Sequence, residues 1–121
     1  MKEWMLRAGA LGFCCCTVNA HANFACKADP SAFLGIDAGG TVLVTVIGTG
    51  RVKVCNLELE QGGITARTCA GWYSTFMTAR MARTPVTLYF DETNPNNGGS
   101  NSCTTLGEWT VRVPYYIEFQ P

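Results

Sequence analysis

From position 32 onward the chain reads as short apolar runs cut by glycine turns. Residues 23–30, Asn-Phe-Ala-Cys-Lys-Ala-Asp-Pro, form a lead-in anchored by Cys26. Residues 32–37 predict a first strand, and Asp37-Ala38-Gly39-Gly40 is turn chemistry. Thr41 to Ile47 is β-branched apart from Leu43 and apolar on both faces, which predicts a central, buried strand. After Gly48-Thr49-Gly50, residues 51–60 alternate, with Val52 and Val54 on one face and Lys53 pointing away. Past Cys55 the apolar positions change phase to Leu57 and Leu59, the mark of a bulge or bend near Cys55 and Asn56. Ile64 to Arg67 reads as a short extended return.

Then the period changes. Trp72/Phe76, Tyr73/Met77 and Met77/Met81 are spaced four apart, which predicts a helix over about 70–83. Thr68 is the expected N-cap, and Arg80 and Arg83 suit the negative end of the helix dipole. Trp72, Phe76 and Met77 are expected to pack helix on sheet. Thr84-Pro85 stops the helix, and Val86 to Phe90 predicts a strand. Residues 91–102 form a polar loop whose only acids, Asp91 and Glu92, sit together at one end, unlike a calcium loop. Tyr115 to Phe119 is a closing strand with Tyr115, Ile117 and Phe119 on one face. The expected fold is mainly β: a small five-stranded OB-fold-like Greek-key barrel, with the helix between the third and fourth strands. A plain five-stranded sheet with one packed helix is the competing arrangement.

The first 22 residues follow a different logic. A charged start, Met-Lys-Glu-Trp-Met-Leu-Arg, precedes an apolar run from Ala8 to Val18 and the small-x-small ending Ala20-His21-Ala22. That order predicts a secretory signal cleaved after Ala22, with a secreted or periplasmic product. The apolar run is too short to span a bilayer. Phe13 before Cys14 argues against lipidation there. Cleavage would leave 99 residues, 23–121, as a single domain. Seven basic residues then face eight acidic ones. This balance offers no basic stripe for nucleic acid and no patch for a membrane surface.

Cleavage also removes Cys14, Cys15, Cys16 and the only histidine, His21. Without histidine the commonest general base and the commonest metal ligand are gone. The four remaining cysteines, Cys26, Cys55, Cys69 and Cys103, are 29, 14 and 34 positions apart, too far for paired zinc-ligand spacing. There is no Cys-x-x-Cys, no Gly-x-Ser-x-Gly and no phosphate or dinucleotide loop. Glu58, Glu60, Asp91, Glu92, Glu108 and Glu118 read as solvated charges rather than a catalytic pair. No catalytic residue, metal or cofactor is expected. An even cysteine count in a short exported chain reads as a disulfide framework. Four cysteines allow three connectivities. The favoured one joins Cys55 to Cys69 across the Gly62-Gly63 turn and leaves Cys26 to Cys103.

Residues 52–92 carry Val-Lys-Val-Cys-Asn-Leu, Ile-Thr-Ala-Arg-Thr-Cys, Trp-Tyr-Ser-Thr-Phe-Met-Thr-Ala-Arg and Thr-Pro-Val-Thr-Leu-Tyr-Phe-Asp-Glu. This block, about a third of the chain, resembles the B subunits of subtilase cytotoxin and typhoid toxin, the pentameric A-B toxins. The resemblance implies an exported OB-fold subunit that forms a ring of five, binds sialylated cell-surface glycans and accompanies an enzymatic A subunit. It implies that the helix lines the pore of the ring. It also implies sugar contacts from Ser31, Lys53 and Tyr89, the positions nearest the family's serine, lysine and aromatic. The family's Tyr-Tyr pair before the acid is Tyr89-Phe90 here, so the second hydroxyl is missing.

Two function classes follow. One is a glycan-binding, toxin-B-like module acting as a homo-oligomer. The other is a small exported protein-binding module or inhibitor with no sugar ligand. Trp109, beside Gly107-Glu108, is either an exposed ligand-binding side chain or a cap on the barrel end. Residues 94–102 are either a specificity loop or a tethered connection.

Overall fold

The computed structural model describes residues 23–121, and the expected signal segment lies outside them. The element order is β1 (Asn23–Ala28), β2 (Leu34–Ile36), β3 (Thr41–Val46), β4 (Gly50–Asn56), α1 (Ala66–Ala82), β5 (Val86–Asp91), a 3-10 turn (Pro95–Asn97) and β6 (Tyr116–Phe119). All ladders are antiparallel. The sheet order is β2-β3-β1-β5-β6, with β4 on the other edge of β3.

Two corrections to the expected barrel follow. The described residues form six strands rather than five, so the helix falls between the fourth and fifth. No ladder joins β4 to β6, so the sheet is not closed. The extra strand is the lead-in. Asn-Phe-Ala-Cys-Lys-Ala has little intrinsic strand preference, but it pairs residue for residue with β5 from Asn23↔Asp91 to Ala28↔Val86. Its far end meets β3 at Ala28↔Val46. Tertiary pairing overrides local propensity here.

Alternation then sorts the side chains. Phe24, Cys26 and Ala28 of β1, Val86, Leu88 and Phe90 of β5, and Ile117 and Phe119 of β6 face the core. The predicted central strand holds, with Val42, Val44 and Val46 fully buried. On β4 the register slips between Val42↔Cys55 and Leu43↔Lys53. One extra residue is thereby inserted at Val54, so Val54, Cys55 and Asn56 are buried in succession. That is the predicted bulge. β4 ends at Asn56 rather than running to Glu60. The Asn56 side chain stops it by accepting from the backbone N–H groups of Glu58 and Leu59.

The helix begins four residues earlier than predicted. Thr65, not Thr68, is the N-cap, and its hydroxyl accepts from Thr68 N–H. Arg83 closes it in the left-handed region (φ 51°), with its N–H turned back to Ala79 and Arg80 carbonyls. Phe76, Ala79 and Cys69 are buried, and Trp72 and Tyr73 pack partly against the core. Met77 does not join them: it is 44% exposed, and Met81 is 85% exposed.

Two disulfides hold this arrangement. Cys55–Cys69 ties β4 to the first turn of α1 across 14 positions, and Cys26–Cys103 ties β1 to the long loop across 77. Chain entropy alone assigns such loops about 3 and about 4 to 5 kcal/mol. The loop is fastened a second time by Asn97. Its side chain donates to the Asp91 and Val113 carbonyls and accepts from Val113 N–H, all while fully buried. Residues 94–102 are thus tethered through Asn97 and, just beyond them, through Cys103.

Candidate functional site

Three strands present an outward face. Alternation places Ala25 and Lys27 of β1, Thr87 and Tyr89 of β5, and Tyr116 and Glu118 of β6 opposite the core-facing set. The register sets Ala25 across from Tyr89, Lys27 across from Thr87, Thr87 across from Glu118 and Tyr89 across from Tyr116. Except for Tyr116, these side chains line a groove of ≈ 340 Å³ together with Pro85 and Gln120.

The polar groups of the groove are wired together. Lys27 Nζ donates to Thr87 Oγ1 at 2.8 Å. The Tyr89 hydroxyl donates to Glu118 Oε2 at 2.8 Å, and Gln120 Nε2 donates to Glu118 Oε1. The Glu118 carboxylate accepting from Tyr89 raises that phenol's pKa above the ordinary tyrosine value. Partial desolvation adds to the shift. Tyr89 is therefore a neutral donor at all physiological pH. Its ring sits beside Tyr116 (centroids 5.4 Å apart) and Tyr115 (6.4 Å).

The sequence grouped Tyr115 with Ile117 and Phe119 on one face of the closing strand, and that is corrected. Tyr115 precedes β6, donates its N–H to the Tyr89 carbonyl at 2.9 Å, and leaves its ring half-exposed. Tyr116 is the outward neighbour of Tyr89 within the ladder. Sequence reasoning passed over Lys27, Thr87 and Gln120, and it read Glu118 as a solvated charge. Alternation marks Thr87 and Glu118 as outward residues of predicted strands, and that signal was present.

The three predicted sugar-contacting residues occupy separate places. Tyr89 lies in the groove. Ser31 lies in the β1–β2 connection, where it lines a different cavity of ≈ 380 Å³ with Arg80 and Arg83. Its N–H donates to Asp29 Oδ1, and Arg80 Nη1 donates to the Pro30 carbonyl at 2.9 Å. The Arg80 bond holds the end of α1 against that connection. Lys53 lines neither cavity. It projects outward from β4, where its backbone pairs in parallel with Val111.

Around Lys53 the free edge of β4 carries a short companion segment. Trp109 N–H donates to the Arg51 carbonyl, Lys53 N–H to the Thr110 carbonyl, and Arg112 N–H to the Lys53 carbonyl, at 2.7, 2.9 and 2.9 Å. Trp109 begins this segment in the left-handed region (φ 64°), a costly backbone state for a bulky side chain. Its indole covers the Arg51 guanidinium at 5.3 Å, and the Phe33 ring covers the guanidinium at 4.1 Å. Trp109 itself is 51% exposed.

Among the described residues no group of three or more His, Cys, Asp or Glu side chains is arranged to hold a metal ion. None of their helices is long and apolar enough to cross a membrane. No family model, curated protein or solved structure matches this chain.

Proposed function

We propose that this protein is an exported, non-catalytic glycan-binding module that acts as an oligomer, in the manner of a toxin B subunit. The observation that carries the reading is the Tyr89 groove. Sugar hydroxyls both donate and accept, while the sugar ring has an apolar C–H face. The groove offers acceptors at Glu118, donors at Lys27, Tyr89 and Gln120, and aromatic area from the tyrosines beside it. Of the three expected contact residues, Tyr89 fits this role. A ligand at Ser31 or Lys53 would use a different surface.

The finer fold reading is an OB-like barrel. β1 and β2 meet the same edge of β3, since β4 takes the other, and so behave as one broken first strand. Segment 109–112 and then β6 behave as one broken last strand. The parallel Lys53↔Val111 bridge supports closure by that segment instead of by a ladder. Gly62 fits the same reading: it has φ 59°, and a Cβ there would collide with Val113 Cγ2.

The oligomer draws on the outer face of α1. Ala70, Gly71, Ser74, Met77, Thr78 and Met81 are exposed and carry no charge. A second copy of the helix, or an A subunit, would cover them. The alternative reading, a protein-binding module or inhibitor, draws on the same Met77–Met81 face. Native mass spectrometry and a glycan array on the oxidised protein decide between the two. A ring of copies that retains a glycan, and loses it in Tyr89→Ala, supports the glycan reading. A monomer that retains none overturns it.

A further inference from the structure

We propose that Arg51, held beneath the Phe33 and Trp109 rings on the outward face of β4, anchors a second ligand site that takes a carboxylate. The argument starts from the guanidinium. Its Cζ lies over two aromatic rings, 4.1 Å from the Phe33 centroid and 5.3 Å from the Trp109 centroid, which restrains the side chain. Among the described residues its N–H groups make no hydrogen bond or ion pair. An arginine restrained by its neighbours, with its donors free, is a ready fork for two oxygens. A carboxylate accepts from two such N–H groups side by side in their own plane.

The backbone supports a built site. Trp109 is held at φ 64° by its bond to the Arg51 carbonyl, a strain that puts the indole over the guanidinium. Lys53, two positions along β4 on the same outward side, adds positive charge and has no hydrogen-bond partner for its ammonium among the described residues. Glu108 and Asp37 are the opposing charges. A Cβ added at Gly50 would lie 2.9 Å from Glu108 Cδ, which places that carboxylate beside the start of β4. Among the described residues no ion pair joins Glu108 to Arg51, yet it weakens the local field for an anion, as the Asp37 carboxylate does at Lys53. The site lies two strands beyond β1 along the sheet, so it stands apart from the Tyr89 groove and does not depend on it.

The test uses the oxidised protein and follows the Arg51 Nε–Hε signal by NMR at matched ionic strength. The probes are acetate, glucuronate, inorganic phosphate and glucose. Acetate and glucuronate are expected to shift the signal saturably, phosphate no more tightly than acetate, and glucose not at all. In wild type, Trp109 fluorescence is expected to report the same midpoint. Arg51→Lys keeps the charge, loses the fork, and is expected to weaken that fluorescence response about tenfold. Glu108→Gln is expected to tighten it about twofold. The proposal is overturned by an Arg51 signal that does not saturate with either carboxylate. Equal response to glucose, tighter binding of phosphate, or an unchanged midpoint in a folded Arg51→Lys protein also overturns it.

Discussion

On β1, β5 and β6 the outward polar side chains bond to one another, whereas among the described residues the outward cations of β4 make no side-chain hydrogen bond. Tyr89, Glu118 and Gln120 form one chain of hydrogen bonds, and Lys27 holds Thr87. Arg51 lies against two rings, and half-buried Lys53 acts on Asp37 only through its charge. The two faces belong to one sheet and share one core. They differ in what a ligand must do. In the Tyr89 groove it has to join or replace existing bonds, which selects a partner rich in both donors and acceptors. At Arg51 it meets donors already aimed and unoccupied, which selects charge and shape. A face can thus be prepared for binding by satisfying its polar groups with one another or by fixing them without partners.

The largest effect separates the staples of the two faces. Cys55–Cys69 anchors the bulged end of β4, and both sulfurs are fully buried. The double change Cys55→Ser/Cys69→Ser is expected to cost about 2 to 5 kcal/mol in urea unfolding. It should broaden backbone amide signals of β4 before those of β5. Equal broadening in both strands would show that the faces are not separately supported.

A smaller effect concerns the wiring itself. Glu118→Gln removes the charged acceptor of Tyr89 while keeping its shape, with an expected stability loss of about 1 kcal/mol near neutral pH. The Tyr89 phenol, now raised, should titrate closer to the ordinary tyrosine value, as read by ultraviolet difference absorbance. The sign follows from linkage. A raised folded pKa gives stability that is complete below the unfolded tyrosine pKa and is lost as pH climbs through the folded one. Wild type should therefore lose stability relative to Glu118→Gln only in the alkaline range.

On the other face, Trp109→Gly relieves the left-handed backbone and deletes one ring from the Arg51 clamp. The two effects oppose each other, each about 1 kcal/mol, so unfolding should barely move. The Arg51 side chain should nevertheless become mobile in ¹⁵N relaxation. A loss of several kcal/mol would mean that Trp109 is a structural cap on the sheet end.

The smallest effect lies at the β2–β3 turn. Asp37 accepts from Gly39 and Thr41 N–H groups, and the Thr41 bond leads in holding its carboxyl below the usual range. That contribution is present above the ordinary carboxylate pKa and fades as pH falls through the lowered one. Asp37→Asn should flatten this acid-side slope slightly in pH-dependent unfolding, and it also removes a negative charge that acts on Lys53.

How much of this the chain announces differs from element to element. Val52/Val54 and Val86/Leu88/Phe90 alternate strictly, and the Trp72/Phe76 spacing is helical, so β4, β5 and α1 were legible. The β4 phase switch marked its bulge. β1 was not legible, because Asn23–Ala28 becomes a strand only by pairing with β5 and β3. The helix start was misplaced because Thr65 and Thr68 are the same residue type, and Cys69 is bridged to Cys55 within the first turn. Tyr89 was singled out only through the resemblance over residues 52–92, while its partner Glu118 lies 29 positions on. Nothing local to Arg51 signals that Phe33 and Trp109 close on it from 18 and 58 positions away. Periodicity reports which way a side chain points, and only the assembled sheet reports what it meets.

The most direct test of the account is amide and side-chain shift mapping of the oxidised protein with a glycan retained from the array. The account predicts saturable shifts at Lys27, Thr87, Tyr89, Glu118 and Gln120, all abolished in Tyr89→Ala. Shifts confined to other surfaces, or a bound glycan indifferent to Tyr89→Ala, would contradict it.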